Sequence, residues 1–250
     1  MNAKRSTRPT HLGVAFLLVL LISFILKSSP AMAGGPTCQG AAATIVGDND
    51  SETINGTNGD DVIVAGGGSD LVSAKQGDDV ICGQGGNDHL AAGSGEDRMS
   101  GGPGDDMLVG GASTQLLDGG VGVDVFFPSG GSGGDIRGGR GGDWLAFSDR
   151  LCSTGVNVDL AARTAAYVAC PGWKDGSWLV SSVAHVDGSD GHDVIAGSDG
   201  RNLLLGQEGS DELEGRPGDD RLYGGPGRDR GEGGAGRDRC QAVEVARSCR

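Results

Sequence analysis

The sequence has little proline beside its glycine, few basic residues and none of several common catalytic motifs. Eight prolines accompany 50 glycines in 250 residues, and no Gly-X-Y triplet recurs, which excludes a collagen-like fibre. Because 34 acidic residues face only 20 Lys and Arg residues, the formal net charge is −14, which argues against a nucleic-acid partner. HExxH, the P-loop and CxxC are absent, and the missing CxxC argues against a redox or zinc role. The glycines must therefore follow some period other than that of collagen.

Only one long apolar run occurs, over 12–26, and basic residues precede it. The run is shorter than the roughly 20 residues that a membrane-spanning helix needs. The small residues Ala31-Met32-Ala33 follow it, which predicts a secretory signal peptide over 1–33. An uncleaved membrane anchor is the alternative. We expect a secreted, extracellular protein whose mature chain starts near Gly34 and spans no membrane, with association to the cell surface left open.

What the sequence has in abundance is a nine-residue period of glycine and aspartate. The period is visible in GTNGDDVIV from 56, AKQGDDVIC from 74, GGPGDDMLV from 101 and GSDGHDVIA from 188. Positions one to six of a unit are rich in Gly, Asn, Asp and Ser, which is the chemistry of a turn. Positions seven to nine are extended, and position eight is apolar. Each unit therefore describes a turn followed by a very short strand with one inward side chain.

Stacking such units predicts an all-β fold, a parallel β-roll (β-solenoid) with two sheets around a thin apolar core. Burying one Ile or Leu contributes about 1.5 to 3 kcal/mol, whereas ordering each of nine residues costs about 1 to 2 kcal/mol. Backbone hydrogen bonds recover only part of this difference. Some further ligand is therefore needed to stabilise the turns.

The repeats fall into two blocks separated by a segment that lacks the period. The expected organisation is a signal peptide (1–33), an N-terminal segment (34–46), a first repeat block (47–146), a non-repeat insert or cap (147–187), a second repeat block (188–241) and a C-terminal tail (242–250). One extra residue, Pro128, breaks the phase within the first block. The insert contains the alternating segments GVNVDL and TAAYV, which predict a β-hairpin or a cap, so that it is β-rich.

Aspartate recurs at position six, where residues 18 apart should lie one above the other if two units form one coil. The predicted metal ligands are Asp61, Asp70, Asp79, Asp88, Asp97, Asp106, Asp124, Asp143, Asp193, Asp211, Asp220, Asp229 and Asp238. Carboxylates stacked at a strand spacing repel each other unless a cation lies between them. The alternative, in which these side chains are only solvated parts of polar turns, is difficult to reconcile with so many residues at constant phase.

The expected cation is calcium. Glycine turns present carbonyl oxygens beside the carboxylates, and calcium takes six to eight oxygen ligands. Zinc or copper would need Cys or His, and His89, His185 and His192 form no pair at ligand spacing. Magnesium is disfavoured because it keeps its waters and demands a tighter octahedron.

Units such as GGPGDDMLV and GGVGVDVFF resemble the RTX, or haemolysin-type calcium-binding, repeat family, over most of 47–146 and 188–241. The resemblance implies a calcium-loaded parallel β-roll that folds outside the cell, with ions between successive turns on each edge. Four units depart from the pattern at position six, namely those with Glu52, Gln115, Gly134 and Asn202. The edge that carries Asp97 should therefore lose its next site at Gln115. No haemolysin or protease domain accompanies the repeats.

Six cysteines in an exported chain suggest three disulfides. Of the fifteen possible pairings, proximity favours Cys152 with Cys170 and Cys240 with Cys249, which leaves Cys38 for Cys82. Aromatic residues concentrate in or beside the insert: Trp144, Phe147, Tyr167, Trp173 and Trp178. They are interpreted as the core of a cap, with a carbohydrate- or partner-binding surface as the alternative.

Together these features predict a secreted, non-catalytic calcium-binding protein. One alternative is an extracellular adhesion or surface-structural protein that calcium stiffens, with an unidentified protein or glycan partner. Another is a hydrolase-associated module that uses the insert, whose titratable residues include Asp149, Asp159, Asp175, His185 and Asp187. No paired spacing among these residues supports catalysis.

Overall fold

The computed structural model describes residues 35–111, 113–129, 133–147, 154–168 and 177–249. The predicted signal peptide, the Cys152–Cys170 pair and Trp173 lie outside these ranges, as do Asp149 and Asp175. Within them, no helix has the length and apolar character needed to cross a membrane.

Short strands make up the regular structure of the described ranges. In chain order they are β1 (Thr37–Cys38), β2 (Ala41–Ala42), β3 (Ile45–Val46), β4 (Thr53–Asn55), β5 (Val62–Gly67), β6 (Leu71–Ser73), β7 (Val80–Gly85), β8 (His89–Ala91), β9 (Arg98–Pro103), β10 (Met107–Val109), β11 (Leu116–Val121), β12 (Val125–Phe127), β13 (Asp135–Arg140), β14 (Asp143–Ala146), β15 (Val156–Asp159), β16 (Thr164–Tyr167), β17 (Ser177–Ser181), β18 (Val183–Asp187), β19 (Val194–Ala196), β20 (Leu203–Leu205), β21 (Glu212–Glu214), β22 (Arg221–Tyr223), β23 (Arg230–Glu232), β24 (Arg239–Gln241) and β25 (Val245–Arg247).

Two large sheets form because alternate strands pair with each other. The ten-stranded sheet runs β4-β6-β8-β10-β12-β14-β18-β20-β22-β24, and the thirteen-stranded sheet runs β3-β5-β7-β9-β11-β13-β17-β16-β15-β19-β21-β23-β25. Neighbouring strands are parallel except where β16 pairs with β15 and β17. β1 and β2 form a separate antiparallel pair. The predicted all-β parallel β-roll is confirmed.

The strand register shows that two nine-residue units make one coil. Val62 lies opposite Val80, and Leu71 lies opposite His89, each 18 residues further along the chain. Leu116 lies opposite Asp135, one residue more than a full coil, because the extra residue Pro128 lies between them. The extra residue therefore lies between strands, and β13 still pairs in parallel with β11.

Most of the core consists of one position-eight side chain from each repeat strand, although β23 has Gly231 at this position. These side chains stack in the interior, where Ile63, Val72, Ile81, Leu90, Met99, Leu108, Leu117, Phe126, Ile136, Leu145, Ile195 and Leu204 are fully buried. Their neighbours at position seven point outward, as Leu71 and Met107 do. The alternation arises because successive side chains of a strand point to opposite faces of the sheet.

The insert joins the thirteen-stranded sheet. β15 and β16 form an antiparallel hairpin, which confirms the predicted one, and β16 continues into antiparallel pairing with β17. β17 and β18 pair in parallel with β13 and β14, so 177–187 continue the two sheets although they lack the repeat motif.

Several aromatic side chains of the insert lie in the core. Trp178 and Phe147 are buried, and the Phe147 ring meets the Tyr167 ring edge-on at a centroid distance of 5.2 Å. The Tyr167 hydroxyl donates a hydrogen bond to the Pro128 carbonyl oxygen at 2.9 Å. These contacts agree with the interpretation of the aromatic residues as structural.

Two disulfides tie the ends of the described chain to the roll. Cys38 is bonded to Cys82 of β7, and Cys240 of β24 is bonded to Cys249, as predicted. The first bridge fixes the N-terminal hairpin, and the second closes the C-terminal tail onto the last coil.

Candidate metal sites along the two turn edges

The position-six residues lie in the turns that lead into the strands of the two sheets. Edge one comprises the turns before strands of the thirteen-stranded sheet, and its aspartates are Asp61, Asp79, Asp97, Asp193, Asp211 and Asp229. Edge two comprises the turns before strands of the ten-stranded sheet, and its aspartates are Asp70, Asp88, Asp106, Asp124, Asp143, Asp220 and Asp238. All thirteen are buried, with at most 5% of the residue surface exposed.

Each edge is a ladder in which one carboxylate oxygen joins successive coils. The backbone N–H of Asp61 donates to Oδ1 of Asp79 at 2.8 Å, and the N–H of Asp79 donates to Oδ1 of Asp97 at 3.0 Å. The same bond joins the other stacked pairs predicted from the 18-residue spacing, namely Asp70 to Asp88, Asp88 to Asp106, Asp106 to Asp124, Asp193 to Asp211, Asp211 to Asp229 and Asp220 to Asp238. Oδ1 therefore fixes the side chain by an ordinary hydrogen bond.

Three hydrogen bonds of the ladders were not among the predicted pairs. The N–H of Glu52 donates to Oδ1 of Asp70 at 2.8 Å. The N–H of Asp124 donates to Oδ1 of Asp143 at 3.0 Å, across 19 residues, a pairing that a fixed period of 18 misses. The N–H of Asn202 donates to Oδ1 of Asp220 at 2.8 Å, so an amide replaces one rung of edge two. Beyond Asp97, edge one continues with Gln115, which has no carboxylate. The interruption of the candidate sites at Gln115 stays a prediction.

The second carboxylate oxygen is the unusual feature of these turns. Oδ2 is buried and has no hydrogen-bond partner within the described ranges in eleven of the thirteen aspartates: Asp70, Asp79, Asp88, Asp97, Asp106, Asp124, Asp143, Asp211, Asp220, Asp229 and Asp238. A buried charged group without a partner is costly, and native proteins leave few of them. Each of these oxygens therefore needs a proton or a cation.

A backbone carbonyl oxygen of a neighbouring coil lies near the carboxylate in seven of these turns, namely those of Asp88, Asp106, Asp143, Asp211, Asp220, Asp229 and Asp238. A Cβ placed on Gly101 would lie 2.1 Å from Oδ2 of Asp106 and 2.8 Å from the Gly119 oxygen. A Cβ on Gly206 would lie 2.4 Å from Oδ2 of Asp211 and, likewise, 2.6 Å from the oxygen of the following coil's first residue. Glycine at position one thus leaves room for two oxygens to converge. Ala65, Ala74 and Ala92 stand at this position in three units, so a methyl group fits in some turns.

The burial of these carboxylates changes their acidity. Burial raises the pKa of Asp106 and of Asp211 to about 7, although the accepted backbone N–H lowers it, and neighbouring carboxylates raise it further. Burial likewise raises the pKa to about 6 in Asp79, Asp124, Asp193 and Asp220. Near neutral pH the ionised edges therefore lack compensating positive charge.

The donor set fits a hard cation. No group of three or more His, Cys, Asp and Glu side chains lies together in the part of the chain that the structure describes. A bound ion would therefore take carboxylate and backbone carbonyl oxygens, which calcium accepts and zinc disfavours. His185 packs against Trp144 and accepts the Leu203 N–H at 3.1 Å, so it belongs to the packing of the roll.

Position two separates the turns into two kinds, a distinction that the sequence analysis missed. In all eleven units with a partnerless Oδ2, position two has a positive φ, including the non-glycine residues Lys75, Gln84, Gln207 and Arg216. We call these open turns. In four other units position two lies outside the positive-φ set, and its N–H donates to the position-six side chain. We call these closed turns, and they comprise Asp48 with Glu52, Thr57 with Asp61, Ser189 with Asp193 and Ser198 with Asn202. Ser or Thr at position two was the available sequence signal.

The fold and these ladders define a parallel β-solenoid repeat protein with aspartates along both turn edges. The profile of the RTX calcium-binding nonapeptide repeat matches the chain in four copies, over residues 46–81, 83–114, 187–220 and 205–240. The chain belongs to the RTX calcium-binding nonapeptide-repeat family. No curated protein matches it.

Proposed function

We propose that this is a secreted, non-catalytic calcium-binding protein in which calcium completes the open turns. The observation that supports it most directly is the set of eleven buried Oδ2 atoms that have no hydrogen-bond partner within the described ranges, seven of which lie beside a backbone carbonyl oxygen of a neighbouring coil. The proposed ligands are these eleven aspartates, distributed over the repeat blocks 47–146 and 188–241. Asp61 and Asp193, which the sequence also predicted, already accept hydrogen bonds on Oδ2 and are left out of the proposed set.

Calcium, when bound, supplies the positive charge that these oxygens lack. The protein prepares the site through its own residues, because Oδ1 is fixed by the N–H of the preceding coil while Oδ2 is left free. Glycine at position one keeps a Cβ out of the space between the oxygens, as at Gly101 and Gly206. The ordered roll then acts as a rigid module.

Two observations support the absence of catalysis and the export of the chain. Both described aspartates of the insert have structural partners, because Asp159 binds Arg216 and Asp187 accepts a hydrogen bond from Gln207. The disulfides Cys38–Cys82 and Cys240–Cys249 suit an oxidising compartment.

A calcium titration of the purified protein with its disulfides intact tests the proposal. Circular dichroism and calorimetry should show a cooperative gain of β structure with several ions bound per chain, and magnesium at the same concentration should have little effect. Equal folding in chelator and in calcium, with no heat of binding, would refute the proposed function.

A further inference from the structure

The closed turns lie at the start of the two repeat blocks. Their position-six side chains accept hydrogen bonds from position two, whereas Oδ2 in the open turns has no hydrogen-bond partner within the described ranges. In the unit 56–64, Oδ2 of Asp61 accepts the Thr57 N–H at 2.7 Å and the Thr57 hydroxyl at 3.0 Å. In the unit 188–196, the Ser189 N–H and hydroxyl donate to the two carboxylate oxygens of Asp193 at 2.7 and 2.8 Å. The oxygens of these carboxylates therefore have hydrogen-bond donors within their own turns.

The unit 197–205 has the same hydrogen bond from position two to position six, but its position-six side chain is uncharged. Its position-six residue is Asn202, whose Oδ1 accepts the Ser198 N–H at 2.8 Å. The amide Nδ2 of Asn202 donates to the Ala184 carbonyl oxygen at 2.7 Å. An amide thus supplies both the acceptor for the turn and a donor toward the preceding coil, and no carboxylate remains to attract a cation.

A long polar side chain from the following coil contacts the first residue of two of these units and the residue that precedes the third. The donors come from position two, 18 residues after the Ser or Thr of the closed turn. Lys75 Nζ donates to the Gly56 carbonyl oxygen at 2.6 Å, and Arg216 donates to the Gly197 carbonyl oxygen at 3.1 Å. Gln207 donates to the carboxylate of Asp187, which immediately precedes the unit 188–196. Cationic or amide groups of the protein therefore donate hydrogen bonds to oxygens near the start of each block.

Arg216 also anchors the insert to the second block. Its guanidinium forms two hydrogen bonds of 2.8 Å with the two carboxylate oxygens of Asp159 on the β15–β16 hairpin. The same contact lowers the pKa of Asp159 below its ordinary value, so the pair remains ionised over a wide pH range. The opening coils of the second block are thus linked to a part of the sheet that has no repeat turns.

We propose that the units 56–64, 188–196 and 197–205, which lie at or next to the start of the repeat blocks, are closed by donors of the protein itself, so that they fold without calcium and take up no ion at position six. This proposal rests on the proposed function, in which the open turns bind calcium. The units with closed turns provide a folded starting point in each block. The adjacent units with open turns then stack on it as calcium binds. Adding coils to an existing edge avoids the cost of forming the first coil of a stacked repeat.

Amide hydrogen exchange of the purified protein, followed by mass spectrometry in chelator and in calcium, tests this directly. In chelator, peptides from 47–64 and 188–205 should exchange at least tenfold more slowly than peptides from 83–109 and 206–240. Addition of calcium should then slow exchange mainly in the peptides from 83–109 and 206–240. If all four regions exchange equally fast in chelator while calcium protects 83–109 and 206–240, the units with closed turns do not fold independently and the proposal is wrong. If calcium protects no region, the proposed function fails together with it.

A variant of the closed turns provides a second, independent measurement. Ser189→Gly combined with Gln207→Gly removes the Ser189 hydroxyl and the Gln207 side-chain amide as donors, while the backbone N–H of residue 189 remains. We expect exchange of 188–205 in chelator to rise at least fivefold. Gln84→Gly is the matched control for Gln207→Gly. Gln84 has a positive φ like Gln207, but the turn 18 residues before it is the open turn of Gly66 and not a closed turn. Calcium bound per chain should rise by about one ion in the double variant and stay constant in the control. An unchanged ion count and unchanged exchange in the double variant would contradict the proposal.

Discussion

At the scale of single residues, the repeat uses glycine for two different reasons. At positions two and four, glycine adopts a positive φ, as Gly66 and Gly68 do. At position one, it leaves space beside a carboxylate, as Gly101 does. Composition alone cannot separate these roles, although the fixed phase of the repeat places both kinds in a turn. The structure separates them because it shows what a Cβ would meet.

Gly86→Ala and Gly85→Ala should therefore differ although the residues are adjacent. Gly86 has a φ of 126°, and a Cβ there would lie 1.7 Å from the Gly68 carbonyl oxygen, whereas a Cβ on Gly85 would meet nothing within 4 Å. We expect Gly86→Ala to lower the free energy of unfolding by roughly 1 to 3 kcal/mol or more, since a strained backbone alone costs that amount. Gly85→Ala should change it by less than about 0.5 kcal/mol. Chemical denaturation in saturating calcium measures both, and equal effects would contradict the close approach of the coils at position four.

Asp106→Asn should have opposite effects with and without calcium. The amide keeps an oxygen acceptor for the Asp88 N–H but removes a buried charge whose pKa burial raises to about 7. At pH 8 in chelator we expect a higher free energy of unfolding than in the wild type, because the unpaired charge is gone. In calcium we expect less stabilisation, because a ligand is lost.

The adjacent exposed residue provides the control for this prediction. Asp105→Asn keeps the acceptor for the Val123 N–H and should leave both measurements nearly unchanged. Thermal unfolding in chelator and in calcium distinguishes the outcomes. A loss of stability in chelator for Asp106→Asn would indicate that its carboxylate is already compensated without metal.

At the scale of strands and coils, the periodic part of the fold was predictable and the aperiodic part was not. Nine-residue units predicted the two parallel sheets and the stacking of Asp61 with Asp79, because each unit specifies its own turn and its own inward residue. Residues 177–187 form β17 and β18 of the same sheets, yet they lack the turn motif, so the pattern gave no sign of them. Their placement depends on pairing with β13 and β14, which is a tertiary contact. The closed turns were missed for a similar reason, since the φ of position two is a property of the folded coil.

Leu108→Ala and Met107→Ala test the one-residue-per-strand core in β10. Leu108 is fully buried in the ladder, whereas Met107 points outward and is 36% exposed. We expect Leu108→Ala to cost about 2 to 5 kcal/mol, as large-to-small substitutions in cores do. Met107→Ala should cost less than about 1 kcal/mol, since outward residues lose little contact. Denaturation midpoints in saturating calcium compare the two, and similar losses would show that β10 is not packed as the ladder requires.

At the scale of the whole molecule, the two edges make stability depend on pH and calcium together. Ionised carboxylates stacked along both edges repel each other, and the formal net charge of −14 adds to this repulsion. Protons and calcium relieve the same repulsion, since both neutralise Oδ2. The roll should therefore respond to acid, in the absence of metal, in the direction in which it responds to calcium at neutral pH.

The sign of the pH dependence follows from the raised pKa values of the edge carboxylates. In the unfolded chain an aspartate has its ordinary pKa near 3.8, whereas Asp79 and Asp124 titrate near 6 and Asp106 and Asp211 near 7 in the folded roll. Between about pH 4 and pH 7 the folded state therefore holds more protons, so its stability falls as the pH rises. In chelator we expect the thermal midpoint to be highest near pH 4 and to decrease toward pH 7 and above.

Saturating calcium should remove or reverse this trend. Calcium competes with protons for the same oxygens, and at pH 4 protonation weakens its binding. The difference in thermal midpoint between calcium and chelator should accordingly be small near pH 4 and large above pH 7. Calorimetric scans at pH 4, 5.5, 7 and 8.5, with and without calcium, measure both dependences in one protein. A midpoint in chelator that rises with pH would show that the edge carboxylates are stabilised as anions without metal, which would remove the physical reason for the roll to bind calcium.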